Sequence, residues 1–361
     1  MKKYLYYPTL VFLSWRLIIL GFQVFIQPSY KITPDSLALW DRLFTSWTMY
    51  WDSGHYLGIA VSGYQFPQQA FFPLWPLLIK SFTMLGLSHQ WVSYLLTFIL
   101  GLANFILFYL LAKKLIDRQK AKWALIIFAC YPATIFLHAG YSENLFLFLT
   151  MSSFLLFENK KYWLSAIMAG LTSASRIVGI AISVSFWFTK ITFTKKLLMS
   201  LTGLFGLIAY MSYLYFNHGD FLFFIKGQQA WCEAAGRCQF TLPLMPLLQY
   251  GWLLLSGAIT VNLLSFRFID WFSSMVFLGS LFLVWKRLPT RYLIYSLVVL
   301  LMPLSSGTTT SMVRMTLIAF PIFLVSPYLL KNKKVIIGLA LLLLLLELRF
   351  VALFTSRIWV A

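Results

Sequence analysis

The densest polar stretch in an otherwise apolar chain is Trp51-Asp52-Ser53-Gly54-His55-Tyr56, followed by Ile59-Ala60 and Gly63-Tyr64. A carboxylate set among aromatic rings at a membrane surface is partly desolvated, which suits Asp52 to general-base work on a hydroxyl, with His55 one turn on as a substrate contact. Asp52 equally suits capping of a helix through Tyr56 to Val61, because a short carboxylate side chain accepts from the free N–H groups of a first turn. A second acid, Glu143, stands in Ala139-Gly140-Tyr141-Ser142-Glu143 at the start of an expected helix. The helix dipole alone would favour it there, yet the spacing also turns it toward the mouth of a bundle, where it could bind substrate. His138 lies one turn earlier, but a lone histidine without Cys or carboxylate at ligand spacing is a weak metal signal.

Two arginines interrupt apolar runs: Arg176 after Ser173-Ala174-Ser175, and Arg314 between Ser311 and Thr316. An arginine at the centre of a membrane helix costs about 2.5–3.5 kcal/mol on insertion scales. Its planar fork matches two oxygens of a phosphate, so both are candidates for a phosphate site. Snorkelling to the headgroups is the alternative for each. From Gly219 to Trp231, aromatics recur on successive turns with Lys226 and Gln229 offering polar contacts, the pattern of an amphipathic surface helix beside a lipid substrate. Cys232 and Cys238 share one loop and could pair in an oxidising compartment.

The elements that must hold these groups are membrane helices. Of 361 residues, 60% are hydrophobic and 11% charged, against about 25% charged in a soluble domain. At about 20 residues per span, the apolar content limits the chain to about eleven spans. The expected fold is therefore an all-α polytopic membrane protein forming one domain over 1–361. The net charge of +19 comes from 29 Lys and Arg against 10 Asp and Glu. The basic residues gather between apolar runs, as positive-inside topology and anionic lipids require, so the expected partner is membrane and not nucleic acid.

Lys2 and Lys3 place the N-terminus in the cytoplasm. The run Tyr7 to Ile26 is too long for a signal-peptide core and is expected as a retained first helix. A long first outer loop, about 27–90, then carries interfacial helices and the acids Asp35, Asp41 and Asp52. A second outer loop covers about 217–250. Trp123 to Ala139 and Met312 to Leu329 are expected as single spans, Tyr162 to Phe188 as two short helices split at Ser175-Arg176, and 249–266 as a segment lying along the membrane. This map puts Asp52, Glu143, Asp220 and Glu233 on the outer face and Asp117, Glu158 and Asp270 inside. No Walker-type loop, G-x-G-x-x-G or H-E-x-x-H occurs, so ATP-driven transport has no support. No D-x-D pair is present, and no metal or other cofactor is required.

Three motifs, taken together, resemble the family of the mannosyltransferase that adds the second mannose of the glycosylphosphatidylinositol anchor. They are Trp51 through Tyr64, Phe71-Phe72-Pro73-Leu74-Trp75-Pro76-Leu77, and Ala139 through Glu143, in the family's order. Arg176 with Gly179, Gly219-Asp220 through Trp231, and Arg314 with Pro321 extend the similarity. The resemblance implies a glycosyltransferase C fold with its site in the first outer loop and an inverting transfer. The sugar would come from a polyprenyl-phosphate donor and pass to a lipid-linked or glycan acceptor. The family's first-loop Asp falls on Asp52. The chain has no Asn-x-Ser/Thr sequon, which together with the resemblance points to a prokaryotic cytoplasmic membrane with the active site facing outside. The alternative is a transporter of lipids or lipid-linked sugars, for which a repeat between the two halves would be expected.

Overall fold

The computed structural model of the chain describes residues 2–26, 39–234, 240–330 and 332–360. Asp35 and Cys238, and the side chains of Cys232 and Glu233, lie outside the described residues. The described chain is helical and contains no strand. Among the described residues five helices are long and apolar enough to cross a membrane: Leu5–Ile26, His89–Leu115, Phe193–His218, Phe266–Arg287 and Lys333–Thr355. A bent pair, Met312–Ile318 with Pro321–Leu329, is apolar enough as well and forms a broken span or a re-entrant loop. The chain is a multi-pass membrane protein. The expected count of about eleven also included shorter segments, of which Ile177–Phe186 and Thr290–Leu304 are apolar helices below spanning length.

Local chemistry sets the ends of these helices. Ser88 accepts from the Trp91 N–H at 3.3 Å and opens the His89–Leu115 helix, and Asp117 does the same for Arg118–Ala129 through the Lys120 N–H at 2.9 Å, each relieving an orphan first-turn donor. Gly219, at φ +70°, closes Phe193–His218 with its N–H on the Tyr215 carbonyl, a left-handed position that other residues adopt only under strain.

The split expected at Ser175-Arg176 is present. Tyr162–Ser175 stops at Arg176, whose backbone is extended, and a 3₁₀ turn, Ile177–Gly179, leads into Ile180–Phe186. Two expected spans are corrected. The helix expected over Trp123 to Ala139 ends at Ala129 and continues as a 3₁₀ helix, Pro132–Leu137, because Pro132 has no N–H and biases Tyr131 out of the helical region. Met312 to Leu329 bends by 90° between Ile318 and Pro321, again at a proline. The segment before Phe266 holds Met245–Leu255, whose 11 residues extend about 16 Å, about half a hydrocarbon core.

The core runs through the first helix, His89–Leu115, Arg118–Ala129 and the bent pair, with Phe12, Phe105, Phe108, Phe128 and Phe323 edge-on or stacked against one another. Tyr162–Ser175 and Phe193–His218 approach so closely that a Cβ on Gly206 would meet the Gly170 carbonyl oxygen at 2.2 Å, the small-residue packing that replaces hydrophobic drive in lipid.

Candidate active site

The buried segment between Tyr131 and Ser142 forms the floor of the site. Non-helical backbone at this depth must have its polar groups paired. Asn144 Nδ2 donates to the Leu137 carbonyl at 2.8 Å, and Asn104 Nδ2 donates to the Asn144 carbonyl at 2.9 Å. Trp75 Nε1 donates to the Gly140 carbonyl at 2.9 Å. Gly140 is packed so tightly that a Cβ would lie 2.6 Å from Ser93 Oγ. The motif around Gly140 is therefore the contact point of the first-loop helices, and it delivers Glu143 to the first turn of the helix Glu143–Glu158.

Four of the expected site residues converge above this floor. Arg314 Nη2 lies 2.8 Å from Asp52 Oδ2 and 2.6 Å from Glu143 Oε1, and its Nε donates to the same Glu143 oxygen at 3.0 Å. Arg176 Nη1 reaches Glu143 Oε1 at 2.9 Å and donates to Ser142 Oγ at 3.1 Å. Two carboxylates and two guanidiniums thus share one neutral cluster, the arrangement in which buried charges hold each other. The Arg314 guanidinium also packs on the rings of Tyr141 (4.6 Å) and Phe136 (4.8 Å).

Exposure divides the four. The Glu143 side chain is 0% and that of Arg314 7% exposed, whereas Arg176 keeps 18% and Asp52 30%. Glu143 is the hidden counter-ion, and Asp52 with Arg176 forms the accessible edge. The capping reading of Asp52 is corrected: Trp51 occupies the cap position, no side chain caps the helix Asp52–Ser62, and the Asp52 carboxylate instead turns to Arg314.

The remaining candidates lie outside the cluster. His55 packs against Trp231 (4.8 Å) and Phe71 (5.2 Å), and burial among these rings pushes its imidazole below the usual histidine range, partly offset by Asp52. Trp231 is anchored by its indole N–H on the Pro67 carbonyl at 3.1 Å. Lys226 and Gln229 are exposed on Phe223–Ala234, and Lys226 pairs with Asp220 at 2.9 Å. His138 is fully buried, edge-on to Trp47 at 4.5 Å. Among the described residues no group of three His, Cys, Asp or Glu is placed to share an ion.

Three groups not singled out in the sequence complete the site. Ser142 Oγ bridges Arg176 and the Tyr56 hydroxyl, which donates to it at 2.7 Å. Tyr141 stacks under Arg314. Asp270 was expected on the opposite face and is corrected: its carboxylate accepts from the Ser311 N–H at 3.1 Å and the Val313 N–H at 2.8 Å. It thereby fixes the start of the short helix that carries Arg314, where Ser311 is held at φ +65°. An acid in an apolar span was the available signal for it.

Residues 23–217 match the Mannosyltransferase (PIG-V) family. The chain belongs to this family. The matched stretch contains Asp52, Glu143 and Arg176, and Arg314 lies beyond it. Among individual relatives, the GPI alpha-1,6-mannosyltransferase 2 of Cricetulus griseus is 36% identical over 150 residues, covering 38% of this chain and 30% of that protein. The GPI mannosyltransferase 2 of Schizosaccharomyces pombe is 31% identical over 212 residues, covering 53% of this chain and 44% of that protein. The match thus spans less than half the length of either relative. The fold is similar to that of the Archaeoglobus fulgidus oligosaccharyltransferase, solved in complex with zinc and sulfate. The TM-score is 0.53 at 14% identity, covering 96% of this chain and 53% of that one. That likeness places this family member in the glycosyltransferase C fold.

Proposed function

We propose that the chain is an inverting mannosyltransferase that takes mannose from a polyprenyl-phosphate donor and passes it to a lipid-linked or glycan acceptor at the outer face of its membrane. Family membership supports the sugar. The observation that carries the mechanism is the accessible Asp52 carboxylate, held through one oxygen by Arg314 and set beside the partly exposed Arg176. In this reading Asp52 takes the proton of the acceptor hydroxyl as its oxygen bonds to the anomeric carbon, and the bond from that carbon to the donor phosphate breaks on the opposite face. The departing polyprenyl phosphate carries the electron pair, and Arg176, with the field of Arg314 behind it, stabilises that charge. Glu143 holds both guanidiniums in place. His55, with Trp231 and Phe71, offers an aromatic wall against which the apolar face of a sugar can lie, and Lys226 and Gln229 line the approach from the surface helix.

The test uses the purified full chain with a polyprenyl-phosphate mannose and a glycolipid extract. Mannose transfer with inverted anomeric configuration is expected, and Asp52→Asn should lower turnover at least about a hundredfold while leaving the unfolding temperature near the parent's. Transfer from a nucleotide sugar instead would overturn the donor assignment, and near-parental turnover in Asp52→Asn would remove Asp52 from the base role.

A further inference from the structure

At the end of the bundle away from the ion-pair cluster, a cavity of about 340 Å³ opens between the starts of Tyr162–Ser175 and Phe193–His218. It is lined by Lys160, Lys161, Tyr162, Trp163, Lys195 and Met199. The Tyr162–Ser175 helix has 14 residues and ends at Arg176, so the cavity lies about 20 Å from the cluster. All three lysines are exposed, and among the described residues none is in an ion pair. The acid nearest in sequence, Glu158, is already taken by Arg291 and by the Tyr292 hydroxyl.

Apolar side chains continue from this basic mouth along both helices. Leu164, Ile167 and Leu171 are exposed on one and Leu198, Leu201 and Phe205 on the other, with Trp163 at the rim, 54% exposed. A ring that is amphipathic, three ammonium groups in a concavity with no ion pair among the described residues, Lys195 lying 5.8 Å from the Tyr162 ring, and a flanking apolar track match the parts of one molecule: an interfacial anionic headgroup and its acyl chains. The positive-inside rule accounts for lysines at this end but not for a cavity among them. Lys286, Lys333 and Lys334 are equally exposed and take no part in lining this cavity.

We infer that this cavity binds the phosphate headgroup of an anionic phospholipid, with the acyl chains lying along Tyr162–Ser175 and Phe193–His218. The purified full chain in detergent, titrated with phosphatidylglycerol or phosphatidylcholine and read by native mass spectrometry, tests it. Preferential retention of phosphatidylglycerol is expected. The triple variant Lys160→Gln, Lys161→Gln, Lys195→Gln should weaken that retention at least about tenfold, since one lysine near an anionic surface is worth about fivefold. Lys195→Gln alone should weaken it several-fold. The triple Lys286→Gln, Lys333→Gln, Lys334→Gln removes the same charge and should leave retention unchanged. Equal retention of the two lipids, an equal loss in the control triple, or an inorganic phosphate complex of the same affinity in the absence of lipid would each overturn the proposal.

Discussion

Two regions of the bundle bury ionisable residues, and they do so in opposite ways. In the candidate active site, Glu143 meets two guanidiniums and Asp52 meets one. In the second region, Glu347 is fully buried on Lys333–Thr355 and receives the Trp15 indole N–H at 2.8 Å. The adjacent Arg16, 2% exposed, lies over the rings of Phe12, Tyr94 and Phe98 at 5.9, 5.3 and 5.2 Å. Among the described residues no ion pair joins Arg16 to Glu347. Trp47 closes this region, donating to Gln23 Oε1 at 2.9 Å and stacking on Phe354 at 5.0 Å. A buried ionisable group is therefore insufficient to mark a site in this protein. The candidate site is set apart by opposite charges from distant segments that converge and by two of them reaching an accessible edge, where a charged substrate can exchange with them. The second region is sealed and ties three helices together through aromatic partners.

The sharpest way to break this contrast is Glu143→Gln. Removing the shared anion leaves two guanidiniums with Asp52 alone, a loss of about 3–5 kcal/mol for a buried pair, and it should abolish transfer and markedly lower the unfolding temperature in detergent. A stable, active Glu143→Gln would show that the cluster is not held by charge. Next in size is the accessible arginine. Because lysine keeps the charge but loses the fork, Arg176→Lys should raise the apparent KM for the polyprenyl-phosphate donor about tenfold, and Arg176→Ala should raise it further, with the acceptor KM unchanged in both. Parental donor kinetics in both variants would leave Arg176 as a structural partner of Glu143.

Glu347→Gln sharpens the comparison from the other side. The amide oxygen can still accept from Trp15, so stability should change by no more than about 1 kcal/mol and turnover should stay within about twofold of the parent, as thermal unfolding and donor titration would show. A collapse comparable with that of Glu143→Gln would erase the distinction between the two regions. The smallest effect is expected at His55. Its imidazole is pushed down by burial, so the unfolded chain takes up the proton first as pH falls. The packing of His55 contributes in full above the unfolded value of about 6.5 and is lost as pH falls through the lower folded value. His55→Gln should flatten the acid limb of the stability profile below about pH 6.5, and an unchanged limb would place that limb's origin elsewhere.

The three local motifs were legible because each depends on neighbours in sequence. The Asp52 helix, the helix start at Glu143 and the helix break at Arg176 follow from short-range sterics, turn chemistry and the cost of an arginine in an apolar run. The prolines Pro132 and Pro321 carry the same kind of signal, but the continuous hydropathy around them points to unbroken spans. Lys226 and Gln229 show the converse, since an amphipathic pattern identified their helix but not its distance from the charged cluster.

The sequence by itself determined a helical membrane protein, its family, and two acids and two arginines too expensive to bury without partners. Only the tertiary structure decided who the partners are. Arg314 is 171 residues from Glu143 and 262 from Asp52, and no periodicity links positions so far apart. Their meeting depends on the 90° bend that turns Met312–Ile318 into the bundle and on the Asp270 carboxylate that holds its first N–H groups. Residue types state how much a buried charge must be compensated, but the path of the backbone chooses the compensating group, because Coulomb attraction and hydrogen bonding act through space and not along the chain.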